Sequence, residues 1–160
     1  MCLVSLNAIP NILAEDMDVY KVLVKTKSGR YYSPFRVMLY KPGDIVPHTD
    51  EYIIKNINEF GANVIETGYL HSYYNKSAAH ACVVGAEGVL GNRIFNDTIV
   101  AVCAFKMIIP AGTQFFKGNQ FDIASKCLYW EDTEPVFQIT GNRTPNVNER
   151  TTSWDGVGVK

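Results

Sequence analysis

Residues 98–109 (TIVAVCAFKMII) form the longest apolar run of the chain. Rich in β-branched side chains and without polar alternation, they predict a strand buried on both faces, with Val102 near its centre and Lys106 where it emerges towards solvent. Pro110-Ala111-Gly112-Thr113 is turn chemistry, because proline fixes φ and glycine supplies the positive φ of a tight reversal. Residues 114–116 and 123–130 then read as two further strands around a Lys117-Gly118-Asn119 turn.

Earlier in the chain, apolar and alternating stretches at residues 1–6, 19–25, 31–35 and 36–40 predict strands, with a hairpin signal at Thr26-Lys27-Ser28-Gly29. Residues 50–60 differ. Tyr52, Ile53, Asn56, Ile57 and Phe60 recur at helical spacing, with Thr49 or Asp50 as N-cap and Gly61 as the stop, so a helix is expected. Residues 64–74 read as strand. Asn75 caps a second expected helix over the alanine-rich residues 76–84, and a last strand covers 136–140. The expected fold is therefore α+β: a mainly antiparallel β-sheet with about two short helices. Residues 1–140 make one globular domain, and residues 141–160 form a polar tail that is flexible or docked on a partner through Trp154.

Composition narrows the function classes. Hydrophobic residues make up 47% and charged ones 19%, which sets the chain among globular rather than disordered proteins. A net charge of −1, with no basic stripe, argues against nucleic acid as a main partner. Cys2, Cys82, Cys103 and Cys127 form no CxxC pair, and Cys103 and Cys127 fall in expected buried strands, as suits a reducing cytoplasm. No signal-peptide pattern is present and the longest apolar run is too short for a bilayer, so no membrane partner is expected.

The strongest local signal is Gly68-Tyr69-Leu70-His71-Ser72-Tyr73-Tyr74. A histidine and a serine at a strand end, among tyrosines, can hold a planar ligand by stacking and by an imidazole hydrogen bond. The candidate ligand-binding residues are Tyr20, Lys21, His71, Ser72, Tyr73 and Lys126, the two lysines meeting an anion if they point into one cleft. The plainer alternative is a strand whose Tyr69 and Tyr73 pack on one face while His71 satisfies a backbone group. Other chemistry is weakly signalled. Ser72 and His80 lack a GxSxG elbow, and the spacing of His71, His80 and Cys82 matches no zinc pattern. Cys2 would be an N-terminal nucleophile only if Met1 were removed, and it also reads as a buried strand cysteine. No catalytic set, metal site or cofactor emerges.

Several short motifs, namely the Met-Cys-Leu-Val-Ser start, Val19-Tyr20-Lys21-Val22-Leu23, the Gly68–Tyr73 step, Ile109-Pro110-Ala111-Gly112-Thr113 and Ile123-Ala124-Ser125, resemble those of small uncharacterised proteins from gut Bacteroidales and their phages. The strand ending in His-Ser, an alanine-containing helix and a core strand with an Ile-Pro-x-Gly-Thr turn are also similar to small members of the ADP-ribosyltransferase-like fold. The first resemblance implies a bacterial or phage-encoded cytoplasmic protein, or a virion component. The second implies that the antiparallel sheet is bent and split, with a cleft for NAD or a related nucleotide. Three readings follow: a non-enzymatic binding module for a nucleotide-like small molecule or a host protein; an ADP-ribosyltransferase-like enzyme with His71 and Tyr20 near the nicotinamide ribose and Glu131 or Glu134 as its acid; and a structural or assembly subunit using the 141–160 tail.

Overall fold

The computed structural model describes residues 3–5, 9–34, 37–47, 54–56, 63–65 and 68–141. In chain order the strands are β1 (Leu3–Ser5), β2 (Asn11–Ile12), β3 (Met17–Thr26), β4 (Tyr31–Tyr32), β5 (Leu39–Tyr40), β6 (Gly43–Ile45), β7 (Ile54–Asn56), β8 (Asn63–Ile65) and β9 (Leu70–Tyr73). The helix α1 (Lys76–Gly85) and a 3-10 turn at Glu87–Val89 follow. The chain then returns to strands as β10 (Arg93–Ile94), β11 (Asp97–Ile109), β12 (Gln114–Lys117), β13 (Asp122–Ser125), β14 (Leu128–Trp130) and β15 (Phe137–Thr140). Sheet structure, antiparallel at every described pairing, thus dominates, with a single α-helix among the described residues.

The chain divides into two compact units, with divisions inside β3 after Lys21, inside α1 after Ala78 and inside β11 after Phe105. In the first unit the strands run β2-β12-β13-β9-β3, while the end of β11 pairs with β14 and β14 with β6. A separate three-stranded sheet, β1-β8-β7, belongs to the same unit. Its core holds Val19, Met107, Ile109, Phe116, Ile123, Leu128 and Trp130, each at most 1% exposed. The Pro110–Thr113 turn is tied down there by Asp16, whose carboxylate accepts from the Ala111 N–H at 2.8 Å.

In the second unit β3 continues into a meander with β4 and β5, and the first part of β11 carries β10 and β15. Residues Ala101, Val102, Cys103, Ala104 and Phe105 are buried without interruption, so both faces of β11 are covered. That is what its unbroken apolar pattern requires, since a side chain period of two would otherwise expose every second residue. The strand also has neighbours on both edges, lying between β3 and β14 in the sheet order, and β15 pairs with it as well. Lys106 is half-buried, its ammonium 3.9 Å from the more exposed Asp18 carboxylate, and the strand does not emerge there, since Met107 and Ile109 beyond it are buried.

The helix expected over 50–60 is corrected at Ile54–Asn56, which are strand and pair antiparallel with Asn63–Ile65; its other residues lie outside those described. Helical spacing of the apolar positions is present, but the β-branched isoleucines lose rotamer freedom in a helix and Asn is a poor helix former. A partner strand a few residues on is then the better outlet for the backbone. Among the described residues there is therefore one α-helix, not two. The helix that does form has the expected cap, with the Asn75 Oδ1 accepting from the Ala78 N–H at 3.1 Å. The tail from 142 onward, with Trp154, lies outside the described residues, as does Cys2.

Candidate functional site

All six candidate residues fall in the first unit, on β3, β9 and the segment after β13. Strand pairing decides which of them meet. Tyr20 stands opposite Tyr73, and on the other side of β9 Tyr73 stands opposite Asp122 and His71 opposite Ala124. Directly opposed residues share a face of a sheet and alternate residues return to it. Tyr20, His71, Tyr73, Asp122 and Ala124 therefore share one face, together with Phe116, which pairs with Ala124 from β12.

Lys126 joins this face by contact. Tyr69, Phe116 and Ala124 form a buried cluster, with the two rings edge-on at a centroid distance of 5.2 Å. The Lys126 ammonium lies 4.6 Å above the Tyr69 ring, a geometry in which the ring quadrupole attracts the cation. Tyr20, His71, Tyr73 and Lys126 are all half-buried around this closed cluster, and the His71 Nε2 is itself buried.

Lys21 and Ser72 are not part of it. Each is one residue out of phase, and the pleat turns it to the opposite face. Lys21 is 7% exposed and its ammonium donates to the His71 carbonyl oxygen at 2.6 Å, which locks β3 to β9. Ser72 is 2% exposed beside Ile123, and its hydroxyl has no hydrogen-bond partner among the described residues. Because His71 and Ser72 point to opposite faces, the imidazole does not serve the hydroxyl as a base.

Asp122 is the site residue that sequence reasoning missed. It is 7% exposed and its Oδ1 accepts from the Gln120 N–H at 3.2 Å. Nothing in the turn sequence Lys117–Asp122 marks it, since only the register with Tyr73 brings it to this face. The face thus combines two phenols, an imidazole, an ammonium and a carboxyl group around an aromatic floor. Such a set can hydrogen-bond and orient a polar planar ligand.

Nucleophilic and metal chemistry find less support. Burial pushes the Cys103 thiol up to about 11, against a lowering pull from Lys25. The Cys127 thiol is raised as well, by burial first and then by the Asp44 carboxylate. Both are therefore protonated at neutral pH and poor nucleophiles. Among the described residues no group of three or more His, Cys, Asp or Glu side chains is arranged to hold a metal ion. Glu131 and Glu134 are exposed and follow the end of β14. No helix among the described residues is long and apolar enough to cross a membrane. No family model matches the chain, and neither a curated protein nor a solved structure does.

Proposed function

We propose that this chain is a non-enzymatic binding module of a bacterial or phage protein set, and that its ligand is a nucleotide-like small molecule held beside His71. The observation that carries this reading is the common face of Tyr20, His71, Tyr73 and Lys126, drawn from three separate stretches of chain. In this reading the tyrosines flank the planar part of the ligand, His71 gives it a directional hydrogen bond and Lys126 faces its anionic part. Lys21 and Ser72 act from behind, one by fixing β9 through the His71 carbonyl and the other by packing.

A thermal-shift series with NAD, ADP-ribose and cyclic nucleotides tests the reading. A ligand at 100 times its dissociation constant stabilises the folded state by about 2.7 kcal/mol, an upward shift that His71→Ala should abolish. The same shift in His71→Ala as in the unsubstituted protein, or no shift with any of the compounds, would remove the nucleotide ligand from consideration.

A further inference from the structure

The turn joining β12 to β13 ends on an anomaly. Phe121 has φ +64, a left-handed conformation that glycine and asparagine adopt readily and bulky side chains rarely do. The residue is 52% exposed, so neither backbone ease nor burial accounts for a phenylalanine there. The turn holds without the ring, through the Gly118 N–H to Asp122 carbonyl bond at 2.8 Å and the Gln120 N–H to Asp122 Oδ1 bond at 3.2 Å.

What surrounds the ring is ordered. The Tyr74 N–H donates to the Phe121 carbonyl at 2.9 Å, and the two rings meet edge-on at 5.9 Å. On the Tyr74 ring lies the Lys117 ammonium, 4.7 Å from its centroid. Lys76, exposed, opens α1 two residues on. Across residues 74–78 and 117–121 the charged side chains are Lys76 and Lys117 and no acid is present; Asp122, next in line, is buried. Tyr74 and Lys117 are in phase with Ser72 and Ile123 respectively, so this patch lies on the face opposite His71.

We propose that Phe121, Tyr74 and Lys117 form a contact for single-stranded nucleic acid, with one unpaired base stacked on Phe121 and a neighbouring phosphate held by Lys117 or Lys76. An open aromatic surface beside cations suits a strand, whose successive bases supply their own stacking and whose phosphates match the local positive charge. A free small ligand needs a concave enclosure that an exposed turn does not offer, and a duplex presents no unpaired base face. The net charge of −1 speaks against an extended basic footprint, so the contact is a local one of a few nucleotides. It does not depend on the ligand assigned to the His71 face.

Fluorescence anisotropy with a labelled oligouridylate of about twelve nucleotides, on the full chain, tests this. Phe121→Gly keeps the left-handed backbone at no cost, and it should weaken binding about tenfold or more while the melting temperature holds or rises. Lys117→Gln should lower the slope of log affinity against log salt by about one. A duplex of the same length should bind far more weakly, and uridine monophosphate should not compete at comparable concentration. The proposal is overturned if the unsubstituted protein does not bind the oligomer at about 100 µM, or if Phe121→Gly binds unchanged. It is equally overturned if the duplex or the mononucleotide binds as well as the strand, or if Phe121→Gly loses binding together with its melting temperature and Lys117→Gln leaves the salt slope unaltered.

Discussion

Phe95 shows in one residue how this chain spends stability. With Ile94 paired to Asp97, Phe95 and Asn96 are the central residues of a two-residue hairpin, at φ 50 and φ 67. Asn96 suits that geometry, but a phenylalanine in the left-handed region costs about 1–2 kcal/mol. Its return is small, because the residue is 79% exposed and its ring only tilts towards Tyr32 at 6.2 Å. Phe95→Asn should therefore raise stability by about 1 kcal/mol in urea denaturation; a lowered midpoint would mean that the Tyr32 contact outweighs the strain. Ser72 makes a second case. Its hydroxyl is buried and lacks a hydrogen-bond partner among the described residues, and removing such a group from both solvent and core is close to neutral or stabilising. Ser72→Ala should change stability by about 0 to +1 kcal/mol and leave any ligand shift at the His71 face intact. A lost ligand shift would return Ser72 to the site.

At the scale of elements, β11 is the member whose failure the fold cannot absorb. Val102 is fully buried and stands opposite Ile139 of β15. An aspartate there would be an unpaired charge in an apolar layer, and Val102→Asp should yield little soluble folded protein. Lys106→Asp is the contrast. The Lys106–Asp18 pair is 41% and 61% exposed, so reversing its charge should cost at most about 1 kcal/mol. Comparable denaturation midpoints for the two variants would mean that β11 is not central. The start of β11 is tied to the turn after β3 by Asp97, whose carboxylate accepts from the Ser28 hydroxyl and, at 3.2 Å, from the Ser28 N–H. The Ser28 hydroxyl bond, before the smaller help of Thr26, the Ser28 N–H and Arg30, holds the Asp97 pKa below the usual carboxylate range despite some desolvation. A depressed folded pKa means the tie is present above the unfolded value and lost as pH falls through the folded one. Side-chain NMR titration should place Asp97 below an ordinary aspartate, with the Ser28 amide shifting in step. A midpoint at or above the ordinary value would show that the tie does not form.

For the molecule as a whole the governing fact is that its sheet pairs distant stretches. Tyr20 meets Tyr73, Ser72 meets Ile123, and Gln114 meets Ile12, so beside local hairpins such as β4–β5 and β12–β13 much of the ladder joins stretches far apart in sequence. Each such pairing closes a long loop before its contacts reward it. Refolding should then proceed in milliseconds to seconds, as for other proteins dominated by non-local strands. Stopped-flow dilution from denaturant, followed by tryptophan fluorescence from the buried Trp130, measures it. A full-amplitude phase faster than about a millisecond would contradict the non-local topology.

What could be read along the chain was what depends on neighbours in sequence. The doubly buried run became β11, the Pro110–Thr113 turn stands where proline and glycine require it, and Asn75 caps the alanine-rich helix. Patterns of burial and capping are local, so their information is in the order of residues. The candidate site was legible only in part, since His71, Tyr73, Tyr20 and Lys126 share a face while Lys21 and Ser72 do not. That partition is fixed by register between strands some fifty residues apart, and a shift of one residue would have reversed it. Register also brought in Asp122, which no spacing marks. In the same way Ile54–Asn56 became a strand against a helical pattern, because the backbone found a partner in Asn63–Ile65. Periodicity says which faces a segment can bury, and only the packed sheet selects which neighbour each face meets.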